Sequence, residues 1–150
     1  MPSTVSVLCQ IKSEGLDGGF VNGLANYMIS PKTFRNFHYG YYKKQISPLF
    51  LHELNIKDYA LVSGKCMFDN EDMYVMVSTA FKIELIEDEI PSTGPYISFV
   101  GKVYSKPKQD DNDCIFGVNV TEYNNNFSFA NKGKVNFKIQ VVYDASQESR

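Results

Sequence analysis

Between residues 58 and 143, apolar and aromatic side chains recur at every second position in five successive runs. These are Tyr59 to Phe68, Met73 to Ile86, Tyr96 to Tyr104, Cys114 to Tyr123 and Val135 to Tyr143. Period two is the repeat of a strand with one face turned to a core, and turn residues separate the runs. Strands joined by such short connections close on one another as a small antiparallel barrel or pack as a β-sandwich. Two hairpins in this half are alike. Leu61-Val-Ser-Gly64-Lys65 leads through the acidic turn Asp69-Asn-Glu-Asp72 to Tyr74-Val-Met-Val77, and Phe99-Val-Gly101-Lys102 leads through a charged turn to Ile115-Phe-Gly-Val-Asn-Val120. A glycine inside a strand marks a bulge or a sharp coil, which lets one strand serve both sides of a barrel. Two ordinary sandwich hairpins would carry the same letters.

The first 56 residues read differently. Thr4 to Lys12 alternates through Val5, Val7 and Cys9 as a first strand, and Gly15 to Gly19 is a turn. Phe20, Val21, Leu24, Tyr27 and Met28 recur at helical spacing, which predicts a short helix over 18–29 closed by Pro31. Ser47-Pro48 suits an N-cap and first turn, and Leu49, Phe50, Leu51 and Leu54 would line the apolar side of a second helix over 48–55. The expected fold is mainly β, with two short helices in the N-terminal third. It forms a single domain over 1–145 followed by a frayed polar tail.

At 150 residues and 43% hydrophobic, the chain supports one sizeable core, and ten Tyr and eleven Phe favour strands. A net charge of −2 excludes a polyanion binder that works by bulk charge, so any nucleic-acid contact must come from a local basic face. The N-terminus lacks the basic start and long apolar run of a signal peptide, and no apolar stretch reaches membrane-spanning length. Cys9, Cys66 and Cys114 are odd in number and far apart, the pattern of reduced thiols in an intracellular protein of cytoplasm or nucleus. Catalytic patterns fail throughout. His38 and His52 have no metal-ligand spacing, Gly15-Leu-Asp-Gly-Gly lacks the context of a phosphate loop, and Glu84 to Glu89 lacks calcium-loop spacing. A non-catalytic protein without metal or cofactor is expected.

Binding patterns are stronger. Lys32-Thr-Phe-Arg-Asn-Phe-His-Tyr-Gly-Tyr-Tyr-Lys-Lys44 holds four basic side chains, five aromatic rings and no acid. Rings that stack on bases, interleaved with cations that hold phosphates, are what single-stranded nucleic acid requires. In this reading Phe34, Phe37, Tyr39, Tyr41 and Tyr42 stack, while Lys32, Arg35, Lys43 and Lys44 meet phosphates. Lys102, Tyr104, Lys106 and Lys108 form a second such set, followed at once by Asp110, Asp111 and Asp113. Tyr123, Phe127, Phe129, Lys132 and Lys134 form a third, in an Asn-rich loop. The same letters also describe the aromatic wall of a β-core with its lysine tips in water. Exposure of the rings between 34 and 42 separates the two readings.

Tyr96-Ile-Ser-Phe-Val-Gly101-Lys-Val-Tyr-Ser-Lys-Pro107 resembles the opening strand of OB-fold single-stranded DNA-binding proteins, in which an alternating apolar run meets a glycine and ends at a proline. Ile115 to Val120 then resembles the second strand, and Phe137 to Asp144 the strand that crosses the barrel. The resemblance implies an OB-like barrel, single-stranded DNA or RNA as partner, and a place in replication. The alternative is a protein-interaction or assembly module whose aromatics are core or subunit interface, with a second copy or another protein as partner and no membrane.

Overall fold

In a computed structural model of the chain, which describes residues 2–47, 49–127 and 132–144, eleven strands build two sheets. Five of them close a barrel: β1 (Thr4–Ile11), β3 (Phe20–Ser30), β4 (Thr33–Tyr42), β5 (Tyr59–Asp69) and β6 (Asp72–Ile83). Their order around the barrel is β1-β3-β4-β6-β5, returning to β1. Every neighbouring pair is antiparallel except β4 and β6, which run parallel through His38↔Tyr74 and Gly40↔Met76. The short β2 (Gly15–Asp17) extends the sheet beside β3, and β7 (Tyr96–Ser98) adds to β1 at Thr4 to Ser6. β5 and β6 are joined by a two-residue turn in which Asn70 and Glu71 both take positive φ, the conformation that suits a tight hairpin.

The barrel interior is filled by alternate residues of each strand: Val5, Val7, Cys9 and Ile11 of β1, Val21 and Ala25 of β3, Phe37, Tyr39 and Tyr41 of β4, Ala60, Val62 and Cys66 of β5, and Val75 and Val77 of β6. Large residues meet small ones across the β3–β4 pair. Gly23 lies opposite Tyr39 and Ala25 opposite Phe37, and a Cβ at Gly23 would stand 2.0 Å from the Ser13 carbonyl and 3.1 Å from the Tyr39 ring. At Gly64 the β5–β6 register slips by a bulge, and a Cβ there would lie 2.0 Å from the Met76 carbonyl oxygen. The glycine inside the strand does mark a coil point, in the hairpin of residues 59–83.

Two expectations are corrected. The described residues contain no α-helix. The segment at 18–29 is mostly β3, because apolar residues on both sides of the strand (Phe20, Leu24 and Met28 outside, Val21, Ala25 and Tyr27 inside) imitate helical spacing. The segment after Ser47 makes one turn, with Leu51 N–H donating to Ser47 at 2.8 Å. It then lies along the end of β6, where Ala80 N–H donates to Phe50 and His52 N–H to Ala80. Leu51 and Leu54 are buried in the barrel core, whereas Leu49 and Phe50 are exposed. Pro48, Phe129 and the tail at 145–150 lie outside the described residues.

The segment 96–144, which carries the OB resemblance, contributes no strand to the closed barrel. After β7 it forms the second sheet, in which the hairpin of β10 (Asp113–Asn124) and β11 (Gly133–Asp144) is flanked by β8 (Lys102–Val103) and β9 (Lys108–Asp110) along β10. One end of this sheet sits on the outside of the barrel. There Phe127 and Val135 meet Phe20, Met67 and Tyr74, with Tyr42, Met76 and Phe137 around them. Polar ties accompany this contact. Glu122, nearly buried, accepts from Ser3 N–H at 2.6 Å and stands 3.8 Å from the Lys65 ammonium, which donates to the Tyr123 carbonyl at 2.8 Å.

Candidate nucleic-acid interface

β4 carries most of the basic-aromatic stretch, and its alternation divides the rings. Phe37, Tyr39 and Tyr41 point into the barrel with 1%, 0% and 0% of their surface exposed. Tyr39 Oη donates to the Ser13 carbonyl at 2.9 Å, and Tyr41 Oη accepts from Leu54 N–H at 3.3 Å. Burial raises the pKa of both phenols. These three rings are packing elements and offer no face to a base, which corrects their assignment as stacking residues.

The outward positions are Phe34, Asn36, His38, Gly40 and Tyr42. Cross-strand register sets Phe34 beside Met28, Asn36 beside Asn26 and His38 beside Leu24, so these six side chains share one outer face of the barrel. Phe34 is 45% exposed. His38 stacks on Tyr74 at 4.5 Å and 12°, and its pKa is lowered by burial, against the pull of Asp72. Asn26 Oδ1 is buried with no hydrogen-bond partner in the structure, a state that costs about 1–3 kcal/mol.

Further along β4 the face is covered. Tyr42 tilts against Phe20 at 5.0 Å and its hydroxyl donates to Asn126 Oδ1 at 2.9 Å. Gly40 leaves room for this cover, since a Cβ would come within 2.2 Å of the Phe20 ring. The Asn-rich loop is built for the same contact. Asn124, buried, accepts from the backbone N–H groups of Asn126 and Phe127 and donates to the Phe127 carbonyl, which turns the Phe127 ring inward.

The cations distribute around the open part of the face. Lys32 occupies the β3–β4 turn at φ +60°, and Lys43 and Lys44 are exposed on a short 3₁₀ turn at the far end of β4, whereas Arg35, opposite Tyr27 on the inward side of β4, is exposed at the barrel end rather than on this face. Lys44 Nζ lies 5.8 Å from the Tyr42 ring centre. The second set belongs to the other sheet. Tyr104 lays its ring over Gly117, where a Cβ would stand 2.1 Å away, and receives the Lys138 ammonium at 5.0 Å. Lys102, Lys106 and Lys108 are exposed along that edge. The two basic sets therefore stand on different sheets rather than on one strand.

One feature is absent from the sequence reading. A cleft of about 960 Å³ lies between the barrel end and the second sheet, with Phe68, Ile97, Phe99, Phe137 and Ile139 as apolar lining and Arg35, Asp69 and Glu71 at its rim. Phe68 and Phe137 meet at 5.5 Å, a contact between residues too far apart in sequence for any local pattern to show. Among the described residues no group of three His, Cys, Asp or Glu side chains is placed to hold a metal ion. Cys9 and Cys66 are buried free thiols pushed up to about 12 by burial, and Cys114 is a third buried free thiol. The sequence matches no known protein-family model and no curated protein.

Proposed function

We propose that the chain is a non-catalytic binder of single-stranded nucleic acid and that the outer face of the β3–β4 hairpin is its platform. The supporting observation is the barrel order β1-β3-β4-β6-β5 with its parallel β4–β6 pair, an OB-type arrangement formed by residues 4–83. In OB barrels the face of the second and third strands takes oligonucleotides, and those strands are β3 and β4 here. Phe34 supplies an exposed ring, His38 on Tyr74 a half-buried one, and Asn36 supplies an amide at the level of base edges. Lys32 at one end, with Lys43 and Lys44 at the other, holds phosphates, whereas Arg35 belongs to the inward side of β4 and lines the cleft.

Titration of fluorescent poly-dT and a duplex of equal length, at low and physiological salt, tests this. Binding to the single strand should be the tighter and should weaken with salt. Lys32→Ala should lower affinity and flatten the salt slope by about one charge. Phe34→Ala should cost about 1–3 kcal/mol of binding with the slope unchanged. Absence of binding at low salt removes the proposal.

A second reading, a protein-assembly module, is favoured by one observation: three of the five rings of the basic-aromatic stretch are core.

A further inference from the structure

The cleft at the barrel end begins one residue away from the platform. Phe34 and Arg35 are consecutive on β4, so their side chains leave the strand on opposite sides. Phe34 stands on the outer face, whereas Arg35, opposite Tyr27, is exposed at the cleft rim. The parallel register of β4 and β6, carried back from His38↔Tyr74, sets Arg35 level with Glu71 in the β5–β6 turn. A strand lying on Phe34 therefore has the mouth of the cleft beside it.

The interior suits a flat, weakly polar group. Phe68, Ile97, Phe99, Phe137 and Ile139 are each only half-buried and line a space of about 960 Å³. Clefts of about 300–1,000 Å³ with mainly apolar walls are the usual seats of small organic groups. Asn119 and Gln140 add side-chain amides along the wall formed by the second sheet.

The rim sorts charge. Asp69 and Glu71 stand there together with Arg35. Lys138 also lines the cleft, but its ammonium lies 5.0 Å from the Tyr104 ring centre. A nucleotide inside a chain carries a phosphate on each side. Seating its base would draw both across this rim, one towards Arg35 and the other against the carboxylates. A nucleotide at a strand end brings only one.

We propose that the cleft holds the terminal base of a single strand whose neighbouring nucleotides lie on the β3–β4 face. Arg35 meets the one phosphate that reaches the rim, and the apolar side chains supply surfaces on which the base lies. Asp69 and Glu71 keep the rest of the backbone outside. This inference rests on the platform reading and adds to it a preference for a free end.

Calorimetric titration of the full chain with oligo-dT of one length tests the proposal in three forms: linear with hydroxyl ends, linear with a phosphate on each end, and covalently circular. The strand with hydroxyl ends should bind about tenfold more tightly than the other two, the lower bound for one stacked base. Phe99→Ala should bring it down to their level and leave theirs unchanged. Arg35→Ala, at an exposed position, should do the same. Glu71→Gln should tighten the circular and end-phosphorylated strands, a gain that misfolding cannot produce. Phe34→Ala, on the platform, should weaken all three alike. Equal affinity of the three forms overturns the cleft assignment and leaves the platform standing. A loss in Phe99→Ala and Arg35→Ala that falls equally on all three does the same. Absence of binding by every form overturns both.

Discussion

Tyr41 and Phe34 belong to the same basic-aromatic run, seven residues apart, and have opposite physical roles. Tyr41 is wholly buried among the barrel side chains with its hydroxyl on the Leu54 backbone, whereas Phe34 projects from the outer face. Replacing Tyr41 by alanine opens a large cavity and releases a buried N–H, so unfolding free energy should fall by about 3–5 kcal/mol. Phe34→Ala should change it by less than about 1 kcal/mol, since the ring is half in water already. Urea denaturation of the two variants checks this. Equal losses would mean that Phe34 is also part of the core and unfit as a stacking platform.

At the level of the strand, Gly64 governs how β5 runs. Its bulge shifts the register between β5 and β6, and the same strand pairs with β1 from Tyr59 to Lys65 on its other side. A methyl group at Gly64 would collide with the Met76 carbonyl, a backbone atom that cannot turn aside. Gly64→Ala should therefore destabilise the protein by about 1–3 kcal/mol, read as a lower urea midpoint, although alanine favours neither strand nor bulge by itself. An unchanged midpoint would show that the β5–β6 pair can slide without cost. The strand-internal glycine is legible in sequence as a coil point. The β3 strand is not legible in the same way. Its inward residues at Gly23 and Ala25 are small because Tyr39 and Phe37 fill the space opposite, so a binary apolar pattern misses them and registers Phe20, Leu24 and Met28 instead.

For the whole molecule, the buried thiols report on cooperative opening. Cys9 lies in the barrel core, donating weakly to the Ala60 carbonyl, and Cys66 belongs to the same buried cluster toward the other end of β5. With both thiols pushed up to about 12, the thiolate fraction near pH 8 is about one part in ten thousand, and burial blocks the reagent besides. Alkylation of Cys9 and Cys66 by iodoacetamide should be negligible in buffer and complete in denaturant, with the rate following global unfolding. Mass spectrometry of peptides after a timed pulse measures this. Rapid labelling of Cys66 alone would mean that β5 and the hairpin seated on it open separately from the rest of the barrel.

What the sequence determines by itself is local. Alternation assigns the strands of residues 59–83 and 114–143, the aromatic-rich composition favours a mainly β protein, and a strand-internal glycine predicts a bulge or coil point at Gly64. Each of these follows from side-chain volume, backbone freedom or a period of two, which a neighbour or two suffices to express. Only the tertiary structure decided which side of β4 faces inward, and with it the fate of Phe37, Tyr39 and Tyr41 as packing residues. It also decided that residues 4–83 rather than 96–144 close the barrel, that Leu51 lies along β6 instead of starting a helix, and that β11 stands at the end of the second sheet's strand order. The reason is common to all four. Burial depends on what stands opposite a residue across strands, and that partner is chosen by long-range pairing that no local spacing encodes.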